Sequence, residues 1–490
     1  MCLTVISCYI NGQTPVSGGI YSNATWTLAN SPYIVVDTVV VFPGVTLTIQ
    51  SGVTVKFENN IMLEIRQAKL IAEGTSSDSI TFTSNALSPT PGIWGNIYLN
   101  NSNASKFNYC NFRYATQGIC NSQGGTNDTL IVKNSNFNYN NYGIYNWWIG
   151  TNSTNEFDSC NFINNQIGFR IEYSQTQVIV NYCNFSFNQN GYTSAGYPNN
   201  GYLNNCVISY NQNLGIQSAH LISNSTISHN QTGISGIYGI TNLINCIVSY
   251  NTYGIEYADS VDSCTINNNQ YGVYATYIMN STVDSNSVRG VFYGDNVTNC
   301  QIKYNGVGIY LEDSVFNITK NIIENNTIGI ELGASNNIYC NKICNNTSYD
   351  LIYTMINNIS VANNYWCTPD SASTTAVIYD GYDNINYGLV NFMPIDTLQC
   401  YLQTDIPINE FQNISFNIFP NPASDYLTVA LPTNFSKTEI KIFNMLGELE
   451  YSSTTTRQNT HIDISNLTSG VHIIQIETID NTSRLKFIKQ

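Results

Sequence analysis

Short segments of alternating hydrophobic and polar residues recur at a fixed interval through the middle of the chain. In each unit between Cys246 and Leu311, apolar residues at positions i and i+2 precede an Asn-rich turn and a Gly, and another short apolar segment follows the Gly. The glycines of these units lie eighteen residues apart, at Gly254, Gly272, Gly290 and Gly308. A two-residue period predicts strands, and a fixed repeat of this length is typical of a solenoid whose coils are buried against one another.

The same unit extends over most of the chain. Its Gly recurs at intervals of 18 to 25 residues, as expected if one turn of each coil accepts insertions. We expect left-handed backbone at the Asn-Gly turns, and hydrogen bonds between Asn side chains on successive coils. The repeat glycines are Gly118, Gly143, Gly168, Gly191, Gly215, Gly233, Gly254, Gly272, Gly290, Gly308 and Gly329.

The opening segments carry short motifs in a characteristic order. Gly44-Val-Thr-Leu-Thr-Ile is followed by Gly52-Val-Thr-Val-Lys-Phe, then by Ile80-Thr-Phe-Thr-Ser and Trp94-Gly-Asn-Ile. This order resembles the first coils of secreted right-handed parallel β-helix proteins. The resemblance implies an all-β fold, with a right-handed parallel β-helix solenoid over residues 13–400.

The pattern changes towards the end of the chain. Asn-Asn-Tyr-Trp at residues 363–366 resembles the end of such helices. Residues 368–394 are expected to cap the last coil, since its strand edges would otherwise be unpaired. After a linker at 401–412, residues 413–490 contain alternating strands with hairpin turns, which predict a small C-terminal β-sandwich.

Four motifs follow one another in this last segment. They are a Phe-Pro-Asn-Pro opening, a central Phe-Asn-Met-Leu-Gly, a Leu-x-x-Gly-Val-x-Ile strand and a basic Lys-Phe-Ile-Lys end. Together they resemble the C-terminal sorting domain of the bacterial type IX secretion system. The resemblance implies that the secretion machinery is a partner, that the domain is removed within the linker, and that the protein is secreted or attached to the outer surface of a Gram-negative bacterium. The motif residues are Pro420, Asn421, Pro422, Gly447, Gly470, Lys486 and Lys489.

Charge and hydropathy restrict the partners. With a formal charge of -15 and only 17 Lys and Arg, the chain should repel phosphate backbones, so no nucleic-acid partner is expected. No apolar run reaches the roughly 18 residues of a membrane helix, so no transmembrane segment is predicted. Residues 1–12 resemble a signal-peptide remnant, although Val-Ile-Ser-Cys at 5–8 also resembles a lipoprotein cleavage box that would place a lipid on Cys8.

The chain has 14 cysteines, an even number that suggests disulfides in a secreted protein. Seven of them share one position ahead of the repeat Gly, where neighbouring coils are about 4.8 Å apart, whereas disulfides need Cβ atoms about 3.5–4.5 Å apart. Cys340 and Cys344 are close in sequence but lack a nearby His, so no metal site is predicted. Buried free thiols are predicted for Cys110, Cys160, Cys183, Cys206, Cys246, Cys264 and Cys300.

A candidate binding surface follows from the strand pattern. The side chain two residues past each repeat Gly should point outward, because the intervening Ile or Val points into the core. On consecutive coils this position holds aromatic residues that could stack on sugar rings, with flanking carboxylates that could accept hydrogen bonds from hydroxyls. The alternative is that these rings only stabilise neighbouring coils. The candidate glycan-binding residues are Tyr274, Phe292, Tyr310, Glu256, Glu331 and Arg170.

Catalytic constellations are weaker in the sequence. Glycosidases pair two carboxylates roughly 5 to 10 Å apart, whereas Glu256 and Glu331 are about four coils, or roughly 19 Å, apart. His220 and His229 are interpreted as surface turn residues. We therefore expect a secreted, non-catalytic glycan-binding, adhesin or structural protein without a cofactor. The alternative is a polysaccharide lyase or glycoside hydrolase for acidic polysaccharides, with its site in inserted turns such as 189–200 and with calcium as cofactor in the lyase case.

Overall fold

The structure is a computed structural model. It describes residues 12–402 and 416–490, with gaps at 124–128, 151–152, 196–199, 237–240, 313–316, 334–336, 369, 398–399, 432–437, 445–447, 456, 458 and 478–481. The chain divides into two compact units, Met1–Leu402 and Gln403–Gln490. The predicted signal-peptide remnant, except Gly12, and most of the predicted linker lie outside the described residues.

Each coil of the first unit contributes three short strands, which pair in parallel with the equivalent strands of the next coil. The first row of strands forms a separate sheet. Its members are Ala24–Trp26, Thr46–Ile49, Lys69–Glu73, Ser105–Asn108, Thr129–Lys133, Thr154–Asp158, Val178–Asn181, Gly201–Asn204, Leu221–Ser223, Asn242–Ile244, Ser260–Asp262, Tyr277–Met279, Asn296–Thr298, Asn317–Thr319 and Asn337–Tyr339.

The second and third rows join in one larger sheet, because the opening strands Thr14–Ile20 and Tyr33–Val41 run through both rows. A 3-10 turn, Leu28–Asn30, lies between these two strands. The second row contains Thr54–Phe57, Ile80–Ser84, Cys110–Arg113, Asn136–Asn138, Asn161–Ile163, Asn184–Ser186, Val207–Ser209, Thr226–Ser228, Ile247–Ser249, Thr265–Asn267, Thr282–Asp284, Gln301–Lys303, Ile322–Glu324 and Lys342–Cys344. The third row contains Leu63–Arg66, Trp94–Asn100, Ala115–Gln123, Tyr142–Ile149, Ile167–Ile171, Asn190–Ser194, Leu214–Gln217, Thr232–Ser235, Tyr253–Tyr257, Tyr271–Val273, Arg289–Phe292, Val307–Leu311, Ile328–Leu332, Tyr349–Tyr353 and Ile378–Tyr379.

The predicted alternation places at least one apolar side chain of most strands in a continuous core. In the strand Thr226–Ser228 only Ile227 is fully buried, and Val248 and Ile266 occupy the same position on the next two coils. Earlier coils hold Phe there instead, and the rings stack with centroids 4.6 to 4.9 Å apart. The core is therefore a column in which each coil buries apolar surface against its neighbours.

The repeat glycines have a different role from the predicted one. None of them has a positive φ, and the left-handed conformation falls instead on a residue four or five positions earlier, such as Tyr210 with φ 56°. A Cβ atom on Gly254 would lie 2.5 Å from the carbonyl oxygen of Gly272 on the next coil. Glycine is therefore required because the coils approach closely, and not because the backbone is left-handed.

Buried Asn side chains connect successive coils, as predicted. The Asn211 Nδ2 donates to Asn230 Oδ1 at 2.9 Å, and the same oxygen accepts from the Asn211 backbone N–H at 3.0 Å. This pattern repeats along what we call the Asn ladder, in the turns between second-row and third-row strands. The ladder comprises Asn140, Asn165, Asn188, Asn211, Asn230, Asn251, Asn269, Asn286, Asn305, Asn326 and Asn346.

The seven repeat cysteines are free and buried, which confirms the predicted thiols, and Cys120 is a further free, buried cysteine. Burial raises the pKa of Cys300 to about 12. Because the thiolate is the reactive form, this shift disfavours reaction at Cys300 in the folded protein.

The end of the solenoid is capped and cross-linked. Disulfides join Cys340 to Cys400 and Cys344 to Cys367. Trp366 is buried, as expected for the final aromatic residue of the repeat. The helix Ser371–Thr375 and the 3-10 turn Cys400–Leu402 follow this residue, and a small sheet pairs Ile359–Ser360, which precedes it, with Val390–Asn391.

The second unit is an antiparallel β structure with its own core. One sheet contains Asn417–Phe419, Tyr426–Ala430 and Asn459–Asp463, and the other contains Leu449–Thr455, Thr438–Phe443, Gly470–Glu477 and Thr482–Lys489. Apolar residues from both sheets, including Leu427, Ile442 and Ile474, pack together in one cluster. This arrangement is the predicted small β-sandwich. No helix among the described residues of either unit is long and apolar enough to cross a membrane.

Candidate functional site

The structure corrects the exposure of the predicted aromatic strip. Tyr274 and Tyr310 are half-buried, but Phe292 is only 8% exposed. The Phe292 ring is covered because the rings of Tyr271 and Tyr293 meet it nearly edge-on, with centroids 5.8 and 6.3 Å away. These three residues therefore do not form a continuous exposed surface, and their role in glycan binding stays a prediction.

A charged side chain covers one ring of this strip. The Arg289 guanidinium lies 3.4 Å from the ring centroid of Tyr310, which leaves that ring face unavailable to a sugar. Glu331 pairs with Tyr310 in register on the next coil, whereas Glu256 is half-buried beside an irregular pairing.

Two tyrosine hydroxyls, Tyr293 in these coils and Tyr145 in an earlier coil, donate hydrogen bonds to carboxylates. Tyr293 Oη donates to Glu312 Oε2 at 2.6 Å, and this hydrogen bond raises the pKa of Tyr293 to about 12. Burial and the neighbouring Glu172 raise the pKa of Tyr145 to about 12 as well. Both hydroxyls stay protonated at neutral pH, so they can donate hydrogen bonds but are poor proton-abstracting bases.

Arg170 lies in the predicted outward position but bonds within the protein. Its Nε donates to Glu172 Oε1 at 2.6 Å, and both side chains are about one-quarter exposed. Tyr145 pairs with Arg170 in register and donates to the same carboxylate oxygen at 3.3 Å. Arg170 is therefore held in a small network with Glu172 and Tyr145.

A row of exposed rings that the sequence interpretation overlooked runs along one edge of the solenoid. Phe187, Tyr210, His229 and Tyr250 lie at equivalent left-handed positions on four consecutive coils. Their ring centroids are 5.2, 4.5 and 5.1 Å apart, with interplanar angles of 7° to 19°. We call these four residues the aromatic ladder.

The aromatic ladder lines an open groove with a volume of about 1020 Å³. Each ladder ring is followed by a buried residue of the Asn ladder and then by an exposed polar residue, so the groove has rings on one side, Asn residues along its floor and amides on the other. The residues that line it are Asn164, Phe187, Tyr210, Asn211, Gln212, His229, Asn230, Gln231, Tyr250, Asn251, Thr252, Asn268 and Gln270.

The ends of the aromatic ladder differ from its middle. Tyr210 and His229 are covered on both ring faces by their neighbours, so they present only ring edges. The equivalent residues beyond the two ends are Asn164 and Asn268, so among the described residues no aromatic ring stacks on the outer faces of Phe187 and Tyr250. The groove therefore offers two aromatic faces at its ends and amide groups between them.

The lining of this groove contains no Lys, Arg, Asp or Glu. Among the described residues there is also no group of three or more His, Cys, Asp or Glu that could hold a metal ion. Binding in the groove must therefore rely on aromatic contacts and on neutral hydrogen-bond donors and acceptors.

The sequence contained a usable signal for the aromatic ladder. Four aromatic or imidazole residues directly precede the buried Asn in consecutive repeats, as Phe187-Asn, Tyr210-Asn, His229-Asn and Tyr250-Asn. His229 is exposed, as predicted for a surface turn residue, and it is also the third ring of the ladder. The alternative enzymatic site at 189–200 lies partly outside the described residues.

The predicted sorting residues cluster at one edge of the second unit. Pro420, Asn421 and Pro422 are exposed, and Asn421 Oδ1 accepts from the Ile488 N–H at 2.9 Å, which ties the opening turn to the last strand. Gly470 pairs with Lys489, which is buried, whereas Lys486 is exposed. Gly447 lies outside the described residues.

Two family descriptions match parts of the chain. Residues 417–490 match a secretion system C-terminal sorting domain, and residues 18–130 match a pectate-lyase-like β-helix domain. The sorting domain directs export through the type IX system to the cell surface or the extracellular space.

Similarity to individual proteins is limited. Ulvan lyase NLR42 of Nonlabens ulvanivorans is 37% identical over 79 residues, which are 16% of this chain and 15% of that protein. The Azotobacter vinelandii mannuronan C-5 epimerase AlgE6 A-module aligns at 10% identity and a TM-score of 0.20, over 74% of this chain and 87% of that chain. ORF18 of Geobacillus virus E2 aligns at 10% identity and a TM-score of 0.15, over 92% and 68%. Alignments at these TM-scores support no inference about activity.

The architecture and the two family matches agree with each other at both ends of the chain. Parallel coils of three strands account for the first unit, and a sandwich with the sorting motifs accounts for the second. The chain is therefore a secreted parallel β-helix protein with a C-terminal type IX sorting domain.

Proposed function

We propose that this protein is an exported polysaccharide-binding protein, and that the groove along the aromatic ladder holds an uncharged glycan chain. The observation that carries the proposal is the groove itself, in which four exposed rings and a parallel row of amides face each other across consecutive coils.

The chemistry of the two sides suits a sugar chain. Sugar rings have apolar C–H faces that pack on aromatic faces, and such faces are open on Phe187 and Tyr250. Gln212 and Gln231 lie on the coils between these two rings, and Gln270 lies on the coil after Tyr250. Each of these side chains offers a donor and an acceptor, which match sugar hydroxyls. From Asn164 to Asn268 the groove spans five coil steps, or roughly 24 Å at the usual strand spacing. A ligand that contacts both terminal rings must therefore contain several sugar units.

The charge of the site favours an uncharged ligand. The groove lining has no cation to pair with a carboxylate or sulfate, and the whole chain carries a formal charge of -15. An acidic polysaccharide would lose hydration and gain no ion pair on entering the groove.

A polysaccharide lyase is the second candidate. It is supported by the short match to an ulvan lyase, by the pectate-lyase-like description of residues 18–130, and by the presence of an imidazole, His229, in the groove. Elimination next to a uronate carboxylate needs a base and also a cation or strong donor to stabilise the charge that develops. The groove supplies only the first of these, so binding without turnover is the better-supported function.

Isothermal titration calorimetry with the full chain separates the two functions. Uncharged hexasaccharides of β-1,4-glucose, β-1,4-xylose and β-1,3-glucose are compared with oligogalacturonate and ulvan fragments, with and without calcium. We expect saturable binding of at least one uncharged ligand, weakly dependent on salt. New reducing ends or unsaturated products from the acidic substrates would establish the lyase instead, and an absence of binding across all ligands would refute both.

A further inference from the structure

Two adjacent tryptophans stand on the outside of the solenoid, far from the aromatic ladder. Trp147 is 55% exposed and Trp148 is 46% exposed, at the end of the third-row strand Tyr142–Ile149. In a regular strand, consecutive side chains point to opposite faces, so one of the two would be expected in the core.

An irregularity in strand pairing explains why both point outward. Asn121 on the preceding coil pairs with Asn146, but the next residue, Ser122, pairs with Trp148, so Trp147 is an extra, unpaired residue. Such a bulge changes the direction in which side chains point, and bulges are over-represented next to active sites. Asn146 and Ile149 on either side of the pair remain buried.

The exposed indoles are part of a larger aromatic surface. The Trp148 ring stacks on Tyr173 of the following coil with centroids 4.5 Å apart and an interplanar angle of 23°. Gln175 Nε2 donates to the Tyr173 hydroxyl at 3.1 Å and fixes its position. The ring of Trp147 contacts no other aromatic ring among the described residues. We call Trp147, Trp148 and Tyr173 the tryptophan platform.

Polar groups lie on the same two coils as the platform. The Arg170 and Glu172 side chains form an ion pair at 2.6 Å, to which Tyr145 also donates a hydrogen bond. Glu172 immediately precedes Tyr173 in sequence, and Tyr145 is three residues, or roughly 10 Å, before Trp148 on its strand. This network has no net charge, and its guanidinium donors and carboxylate acceptors lie on the same two coils as the exposed rings.

We infer that the tryptophan platform is a second binding site, on which pyranose rings of an uncharged polysaccharide pack while the Arg170–Glu172 pair bonds their hydroxyls. The neutral network and the overall charge of -15 disfavour anionic chains, including nucleic acids. A partner protein is disfavoured by size. Each of the three aromatic side chains offers at most roughly 150–250 Å² when fully covered. Their combined area is therefore less than the about 800 Å² that each partner buries in a stable interface.

The platform is separate from the ladder groove. Tyr142 follows the turn that carries the ladder position, and Trp148 is six positions later on the same strand. The platform therefore lies roughly 20 Å along the strand from that turn. The inference shares only its ligand class with the proposed function, and either site can fail while the other binds.

Tryptophan fluorescence tests this site selectively. The chain has five tryptophans, and the other three, Trp26, Trp94 and Trp366, are buried. Titration of the full chain with the uncharged hexasaccharides named above should therefore shift the emission to shorter wavelength only when a sugar covers Trp147 or Trp148. We expect a saturable shift in the native protein.

Three variants complete the experiment. Trp147→Ala with Trp148→Ala should lose the shift while keeping the native circular dichroism spectrum, and Phe187→Asn with Tyr250→Asn in the ladder groove should keep it. Tyr304→Asn, at an exposed position outside both sites, is the control and should also keep it. The inference is overturned if none of these sugars shifts the emission, if only acidic oligosaccharides do so, or if sedimentation shows self-association that the double tryptophan variant abolishes.

Discussion

Neighbouring residues of one turn serve opposite purposes in this solenoid. Tyr210 is about half exposed in the aromatic ladder, whereas the next residue, Asn211, is buried and bonded to the coils on both sides. The inner position holds Asn on eleven successive coils, but the outer position alternates between aromatic residues, His, Ser and Asn. The inner Asn ladder is fixed by hydrogen bonding between coils, whereas the outer position varies from coil to coil.

The largest effect on the free energy of unfolding should come from a substitution in the Asn ladder. Asn211 donates to Phe185 O and Asn230 Oδ1 and accepts twice from Asn188, at 2.9 to 3.1 Å. Asn211→Ala leaves buried partners unsatisfied, and we expect a loss of about 3 kcal/mol or more in the free energy of unfolding, measured by urea denaturation. Gln212→Ala, on the exposed next residue, is the control and should change it by less than about 0.5 kcal/mol. Equal effects of the two substitutions would contradict the contrast between inner and outer positions.

A smaller effect is expected from the repeat glycines. Gly254→Ala places a Cβ atom 2.5 Å from the Gly272 carbonyl oxygen, so the two coils must move apart. We expect a destabilisation of about 1–3 kcal/mol, as for overpacking in other cores. The same urea titration measures it, and an unchanged midpoint would show that the coils separate without cost.

Removing one ring of the aromatic ladder should destabilise the protein less than either of these substitutions. Tyr210→Asn keeps the left-handed turn, because Asn occupies the same position at Asn164 and Asn268 with φ of 57° and 54°. Only the stacking on Phe187 and His229 is lost, which corresponds to about 1 kcal/mol. A loss as large as that of Asn211→Ala would mean that the outer ladder is structural.

The smallest effect should be the pH dependence of the ion pairs that Glu324 forms with Lys303 and Lys342. Burial tends to raise the pKa of Glu324, but hydrogen bonds from Lys342 and Lys303 outweigh it and lower the pKa. A lowered folded-state pKa stabilises the protein above about pH 4.3, the usual value for Glu, and this stabilisation is lost as the pH falls through the folded-state pKa. Glu324→Gln should therefore lower the melting temperature slightly at pH 7 and not at pH 2. A difference that grew on acidification would reverse the assigned sign.

Most of the fold could be predicted from sequence because it depends on local periodicity. The alternation around Ile227, Val248 and Ile266 determines which side chains enter the core, and the place of each Cys and Asn within its repeat determines which of them stack. The role of Gly254 could not be predicted, since it depends on the distance between coils and not on the backbone angles of one turn. The disulfides of Cys340 and Cys344 join residues that are distant in sequence.

The candidate site was less predictable for the same reason. Outward direction alone selected Phe292, but its exposure depends on Tyr271 and Tyr293, which pack against it from other positions. Insertions of different length also conceal the aromatic ladder, because the spacing from Phe187 to Tyr250 is uneven in sequence although it is regular in space.

The central claim is that the aromatic ladder binds sugar while the Asn ladder stabilises the fold. Calorimetric titration of an uncharged hexasaccharide that binds the native chain tests it most directly, with the double substitution Trp147→Ala and Trp148→Ala as background in every sample. Against this background, Phe187→Asn with Tyr250→Asn removes both terminal rings of the groove, and Tyr304→Asn makes the same change at the same turn position outside it. We predict that the first pair weakens binding at least tenfold and that Tyr304→Asn leaves it unchanged. Equal affinity in the three proteins would contradict the account.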